Sequence, residues 1–166
     1  MKDTVAVCPG SFDPVTVGHI DIIKRASLMF SKVIVVVMEN VSKSPCFSVE
    51  ERIEMLKTST KDLKNVEVDA YCGLLADYCR KKKAGAIVKG LRAMSDFEYE
   101  FQMALTNKKL NPDTETVFLT TSAENMYLSS SMVKQIGRMG GDVSDFVPAE
   151  NIEKIVERLI GKEDKK

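Results

Sequence analysis

The chain holds a single histidine, His19, and it closes the stretch Cys8-Pro9-Gly10-Ser11-Phe12-Asp13-Pro14-Val15-Thr16-Val17-Gly18-His19. Two prolines, two glycines and a serine between an apolar run and a helical pattern read as a strand-to-helix loop that binds something. Pro9 and Gly10 are expected to break the strand and to let the backbone approach a ligand, since Gly carries no Cβ and Pro fixes its own φ. Thr16 fits an N-cap. That sets His19 in the first turn of the next helix, where free N–H groups and the helix dipole favour anions and disfavour a proton on imidazole. A neutral histidine there can donate a hydrogen bond to a phosphate, and Ser11 adds a hydroxyl to the same turn.

Three cations stand at other loop positions. Lys43 belongs to Glu39-Asn40-Val41-Ser42-Lys43-Ser44-Pro45, and Lys89-Gly90-Leu91-Arg92 places two more around a glycine, an arrangement suited to polyphosphate. The same lysine and arginine could instead pair with Glu98 or Glu100. Asn125-Met126-Tyr127-Leu128-Ser129-Ser130-Ser131 runs into a further helix, whose free N–H groups and serine hydroxyls again suit phosphate. One neutral imidazole, several hydroxyls, three cations and several helix starts, with no evident nucleophile and base pair, fit direct in-line transfer of a nucleotidyl group. The attacking phosphate is then its own nucleophile, and the protein supplies position and charge stabilisation.

The elements that must position these groups are legible as an alternation. Strand-like, β-branched runs fall at residues 4–8, 32–38, 66–70, 86–89 and 116–120, nearly continuous in apolar character, as for a parallel sheet covered on both faces. Helical patterns lie between them at 17–30, 48–59, 74–83 and 95–110, with a last one at 149–160. Ser48-Val49-Glu50-Glu51 and Ser95-Asp96-Phe97-Glu98 are capping boxes. The expected fold is therefore α/β, a Rossmann-like doubly wound five-stranded parallel sheet with right-handed crossovers, in one domain over residues 1–161 with a frayed tail at 162–166. In such a sheet ligands sit at the carboxyl ends of the strands, and the loops to inspect begin at Pro9, Glu39, Tyr71, Lys89 and Thr121.

Composition removes several function classes. Equal numbers of basic and acidic residues, 24 of each, disfavour nucleic-acid binding through a general basic field. No apolar run approaches the roughly 20 residues of a membrane helix, and no signal peptide opens the chain, so a cytoplasmic protein is expected. The cysteines at 8, 46, 72 and 79 lack metal-ligand spacing and read as reduced packing thiols, and no protein-held metal is expected. GxxxxGK[ST] and GxGxxG are both absent, against a P-loop kinase and a dinucleotide oxidoreductase. Ser131-Met132-Val133-Lys134 matches SxxK without its companion motifs, and Ser11 lacks a nucleophile elbow.

Pro9-Gly10-Ser11-Phe12-Asp13-Pro14 followed by Thr16-Val17-Gly18-His19 resembles the (H/T)xGH signature of the nucleotidylyltransferase superfamily. With Asp96-Phe97-Glu98-Tyr99-Glu100, 115–119, Ser129-Ser130-Ser131, 141–144 and Phe146-Val147-Pro148, the chain resembles the bacterial phosphopantetheine adenylyltransferases from end to end. The resemblance implies ATP and 4′-phosphopantetheine as substrates, dephospho-coenzyme A and pyrophosphate as products, Mg²⁺ on the nucleotide phosphates, a homohexamer and feedback by coenzyme A. It implies a catalytic set of His19, Lys43, Ser11 and Arg92. The ATP site would comprise Ser11, Phe12, His19, Gly90, Leu91, Arg92, Glu100 and Asn125, Met126, Tyr127, Leu128, Ser129, Ser130 and Ser131, and the acceptor would meet Ser11, Lys43, Leu75 and Lys89. Three positions depart from the common pattern: Lys89 stands where Arg is usual, Ser11 where Thr is frequent, and Val41 where Pro is frequent. A second reading is a sister nucleotidylyltransferase with another acceptor or with CTP, and a third is a non-catalytic nucleotide- or coenzyme-A-binding protein.

Overall fold

β-Branched, two-sidedly apolar segments form the centre of the molecule because each of their faces meets helices. The computed structural model describes residues 3–39, 44–92 and 94–161, the side chains of residues 94–96 excepted. Lys43 and the tail 162–166 lie outside the described residues. Five parallel strands, β1 (Val5–Gly10), β2 (Lys32–Met38), β3 (Val66–Tyr71), β4 (Ala86–Leu91) and β5 (Glu115–Thr120), lie in the order β3-β2-β1-β4-β5. The helices between them are α1 (Val17–Met29), α2 (Val49–Ser59), α3 (Leu75–Lys82) and α4 (Met94–Leu110), followed by α5 (Ser130–Arg138) and α6 (Ile152–Ile160).

The period of two along the strands divides the core. Ala6 and Cys8 of β1 and Val33, Val35 and Val37 of β2 face a large cluster shared with Ile23, Ala26, Met55, Leu56, Val133, Ile155 and Leu159. Their alternates Val7, Ile34 and Val36 face a smaller cluster with Tyr78, Cys79 and Ala84. Helices thus cover both faces, as the doubly wound reading requires. On the second face α4 leaves Tyr99, Phe101, Leu105 and Leu110 exposed.

Two expectations are corrected. Pro9 and Gly10 do not break β1: they pair with Val36 and Val37 of β2, so the strand runs two residues further than its apolar run. Gly90 and Leu91 likewise lie within β4, opposite Leu119 and Thr120, so this strand runs past the expected residue 89 and the loop starts only after Leu91. A proline lacks one donor but can still hold a register on one edge, and here β1 parts from β4 on its other edge. Pairing between β1 and β4 covers only Ala6 with Ala86 and Val7 with Ile87. At the N-terminus of the closing helix, 149–151 form a 3₁₀ turn before α6 begins.

Candidate active site

Divergence of β1 from β4 after Val7 opens a cleft of roughly 550 Å³ at the carboxyl end of the sheet, where the strand order reverses. Cys8, Pro9 and Gly10 form one lip, and Val88, Lys89 and Gly90 form the other. Glycine is required at both lips by close packing. A Cβ on Gly10 would sit 2.8 Å from the ring of Phe12, whose own φ of 49° folds it back beneath the strand. On Gly90 it would meet Ile22 of α1 at 2.9 Å.

His19 is fixed by the helix start to which it belongs. Thr16 caps α1 with extended backbone and accepts from the His19 N–H at 3.3 Å, while Thr16 N–H donates to His19 Nδ1 at 3.0 Å. This is a capping box in which an imidazole replaces the usual Glu or Gln at the third helical position. Because Nδ1 accepts a backbone N–H, it carries no proton, and the neutral ring bears its hydrogen on Nε2. Burial lowers the imidazole from its ordinary 6.5 to about 4, with Arg92 and then Lys89 adding repulsion. Phe12 meets the ring edge-on at 5.0 Å between centroids.

The cations are held from several elements. Lys89 Nζ lies 3.2 Å from Glu100 Oε2, so the pairing that sequence left as an alternative does form, inside the cleft wall. Arg92 Nη1 donates to Leu128 O at 2.8 Å, drawing the loop before α5 against the end of β4. Ser129 caps α5 by accepting from Met132 N–H at 3.1 Å, and Ser130 Oγ donates to Pro14 O at 2.8 Å. The first turn of α5 therefore faces the histidine loop, and its free N–H groups with Ser131 open on the cleft. Ser11 is exposed at the rim, with its carbonyl held by Arg52 Nη1 at 2.9 Å.

Of the residues singled out in sequence, Ser11, Phe12, His19, Lys89, Gly90, Arg92, Glu100, Asn125, Leu128, Ser129, Ser130 and Ser131 line this one cleft. Leu91, Met126, Tyr127 and Leu75 do not line it; Met126 and Tyr127 are exposed beside it, and Leu75 packs with the smaller core cluster at the start of α3. Lys43 lies outside the described residues. Sequence reasoning missed Tyr99, Thr121 and Ile22 as lining residues. Tyr99 and Thr121 were within reach, since one sits in the block 96–100 and the other opens a loop at a strand end; nothing separates Ile22 from an ordinary core position. Cys8 lines the cleft as well, but burial pushes its thiol up to about 12 against the opposing pull of Lys89, which leaves no thiolate for nucleophilic chemistry. A bound polyphosphate would find here hydrogen-bond donors and cations brought from β4, α1 and the start of α5.

The cytidylyltransferase-like family matches residues 7–136, most of the chain. The chain is 60% identical over 155 residues to a phosphopantetheine adenylyltransferase of Caldanaerobacter subterraneus subsp. tengcongensis, covering 93% of this chain and 97% of that one. A phosphopantetheine adenylyltransferase of Dictyoglomus turgidum is 56% identical over 154 residues, covering 93% and 96%. Among solved structures, a Plasmodium falciparum nicotinic acid mononucleotide adenylyltransferase complexed with NaAD superposes with a TM-score of 0.72 over 98% of each chain, at 14% identity, which speaks for the fold alone.

Proposed function

This chain belongs to the phosphopantetheine adenylyltransferase family of cytidylyltransferase-like nucleotidyltransferases, and from that premise we propose that its cleft transfers the adenylyl group of ATP directly to 4′-phosphopantetheine. The products are dephospho-coenzyme A and pyrophosphate. The observation that carries this reading is the imidazole of His19, held neutral with Nε2–H turned from its cap and set among Lys89, Arg92 and the start of α5.

In the reaction the phosphate oxygen of 4′-phosphopantetheine attacks the α-phosphorus of ATP in line with the departing pyrophosphate. His19 Nε2–H donates to the α-phosphate oxygens as charge spreads over them in the transition state. Arg92 and the first-turn N–H groups of α5, with Ser129 to Ser131, hold the triphosphate, while Asn125 and Leu128 flank the nucleotide. Met126 and Tyr127 reach it from the rim, and Gly90 and Leu91 let the nucleotide lie close to β4. Ser11 and Lys43 take the acceptor phosphate; Lys89, tied to Glu100, and Leu75 serve the pantetheine side. His19, Lys89, Arg92 and the start of α5 are held by their own bonds before substrate arrives, so little reorganisation of these groups accompanies the reaction.

Mg²⁺ belongs to the proposal as a nucleotide-borne ion. Among the described residues no group of three or more acidic, histidine or cysteine side chains could hold a metal, and Glu100, already paired with Lys89, is the one carboxylate lining the cleft. This donor set fits an ion held by phosphate oxygens, where it would offset charge on the triphosphate. The proposal also includes a homohexamer, supported by the exposed apolar side chains of α4, and coenzyme A as a product-like feedback ligand. A cytoplasmic location accords with the absence, among the described residues, of any helix long and apolar enough to cross a membrane.

The test is pyrophosphate release by the full chain with ATP or CTP, Mg²⁺ and each candidate acceptor in turn, with His19→Ala run alongside. Activity confined to ATP with 4′-phosphopantetheine and lost in the variant is expected. Turnover of nicotinamide mononucleotide or of CTP in its place would move the chain to a sister activity. Silence with every acceptor, despite measurable ATP or coenzyme A binding, would make it a binding protein.

A further inference from the structure

Asp13 is almost wholly buried, at 7% exposure, and does not line the cleft. Oδ1 accepts from Cys46 N–H at 3.0 Å and from Phe47 N–H at 2.9 Å, while Oδ2 accepts from Cys46 N–H at 3.0 Å and from Lys134 Nζ at 2.8 Å. Burial alone would raise this carboxyl, but the donors from Cys46, Lys134 and Phe47 outweigh it and hold it below its ordinary value. The two sets of donors come from different elements of the fold. Cys46-Phe47 leads into α2 and stands three residues past Lys43, whereas Lys134 lies one turn below Ser130 and Ser131 on α5.

Among the described residues, Asp13 is the one side chain bonded to both. The segment it grips is held from behind as well: Arg158 of α6 donates to Cys46 O at 3.0 Å and lies 5.3 Å over the Phe47 ring. Cys46 and Phe47 are therefore clamped through their N–H groups by Asp13 and through a carbonyl by Arg158. Any shift of α5 acts on the first clamp through the Lys134 ammonium.

We propose that Asp13 is a positioning residue that keeps the acceptor-side segment 46–47 in register with the nucleotide-side start of α5, with Lys134 as the strut between them. This rests on the assignment of those two sides in the preceding section. A buried carboxylate with two backbone donors on one arm and an ammonium on the other is stiff, because releasing either arm leaves a charge or a polar group unpaired away from water. An in-line displacement loses rate steeply when its two reactants are misplaced by about 1 Å.

The full-length protein as Asp13→Asn, Lys134→Met, Lys134→Arg and the double variant tests this with two readouts. The first is kcat and KM for ATP and for 4′-phosphopantetheine separately; the second, independent of turnover, is amide hydrogen exchange at Cys46 and Phe47. Lys134→Met is expected to speed exchange at both amides and to raise the KM for 4′-phosphopantetheine, although Lys134 touches neither. Its kcat should fall by about tenfold. Lys134→Arg should restore most of this, and the double variant should lose less than the product of the single losses, since both act through one bond. A lowered melting temperature in Lys134→Met with wild-type exchange at 46–47 and wild-type kinetics would overturn the proposal and leave the pair a structural one. Should Asp13→Asn fail to fold, Lys134→Met carries the test by itself, because Asp13 then keeps its amide donors. Should the wild-type protein not use 4′-phosphopantetheine at all, the functional reading fails on kinetics while exchange still decides whether α5 and segment 46–47 are coupled.

Discussion

Two helices of this molecule start with the same device and use it for different ends. Ser48 caps α2 and accepts from Glu51 N–H, while the Glu51 carboxylate accepts from Ser48 N–H at 2.7 Å. Thr16 caps α1 and accepts from His19 N–H, while His19 Nδ1 accepts from Thr16 N–H at 3.0 Å. The spacing and the reciprocal bonds are alike. What differs is the far side of the third residue. The other oxygen of Glu51 turns to Arg158 and is spent on tertiary structure. The other nitrogen of His19 is a donor at a cleft wall. A carboxylate at that position would close the box equally well but would present an acceptor to phosphate. The histidine box thus serves both to begin a helix and to fix the tautomer of a ring that lines the cleft, the group that the proposed reaction sets against the α-phosphate.

Replacement of His19 separates the two duties most widely. His19→Ala removes both, and kcat should fall by about 10²- to 10⁴-fold with ATP affinity within a few-fold of wild type, as a contact made in the transition state costs rate more than binding. His19→Gln rebuilds the box in its usual chemical form, so thermal stability should return close to wild type while kcat stays low. Steady-state kinetics with a melting curve on each variant checks both halves. Equal losses of rate and ATP affinity would assign His19 to ground-state binding instead.

Acid should affect the two boxes at different pH. His19 in the folded chain holds no proton until about 4, whereas in the unfolded chain it takes one up near 6.5. Its contribution to stability is complete above that upper value and is lost as pH falls through the window between the two, at no more than about 1.4 kcal/mol per pH unit. For Glu51, burial works against ionisation, but the Ser48 N–H and Arg158 outweigh it and hold the carboxyl below its ordinary 4.5. That contribution is complete above 4.5 and is lost only as pH falls further. Because His19 is the chain's one histidine, His19→Gln should flatten the dependence of urea-unfolding stability between about pH 5 and pH 6.5 and leave the steeper acid limb in place. Parallel curves for variant and wild type would show that the folded imidazole titrates as freely as the unfolded one.

Thr16 holds the histidine from the other end. In Thr16→Ala the helix loses its side-chain cap, at about 1 kcal/mol, while the Thr16 N–H that sets the tautomer survives. The rate should fall by only about three- to tenfold, through looser placement of the ring, and Thr16→Ser should restore both quantities. A loss as deep as that of His19→Ala would shift the source of the tautomer from the backbone N–H to the hydroxyl.

These boxes also show where sequence was sufficient. Thr16 and Ser48 were readable as caps because capping is local, and His19 was placed in the first turn of α1 on that ground alone. The five strands were readable because β-branched runs buried on both faces have little else to become. Less legible was everything decided across the sheet. Pro9 and Gly10 looked like strand breakers, yet pairing with Val36 and Val37 carries β1 through them, since one free edge suffices to accommodate a proline. The cleft exists because β1 and β4 part after Val7, a matter of register that no single segment encodes. The place of Asp13 was hidden for the same reason: its partners at 46, 47 and 134 are remote in the chain, and within its own loop it resembles an ordinary turn aspartate.

Glu51 offers the narrowest division between the two boxes. Glu51→Ala removes the return half of the α2 box and one partner of Arg158, and should lower stability by about 1 kcal/mol, measurable as a shift of the urea midpoint. Arg158 keeps its bond to Cys46 O, and Asp13 keeps the two N–H groups of Cys46 and Phe47, so the segment entering α2 retains its clamp. On that account kcat should remain within about threefold of wild type, well short of the change at His19. A fall of tenfold or more would mean that the Glu51 box also reaches the reaction, through Arg158 and the carbonyl of Cys46, and the contrast between a structural box and a chemical one would become a difference of distance from the phosphate.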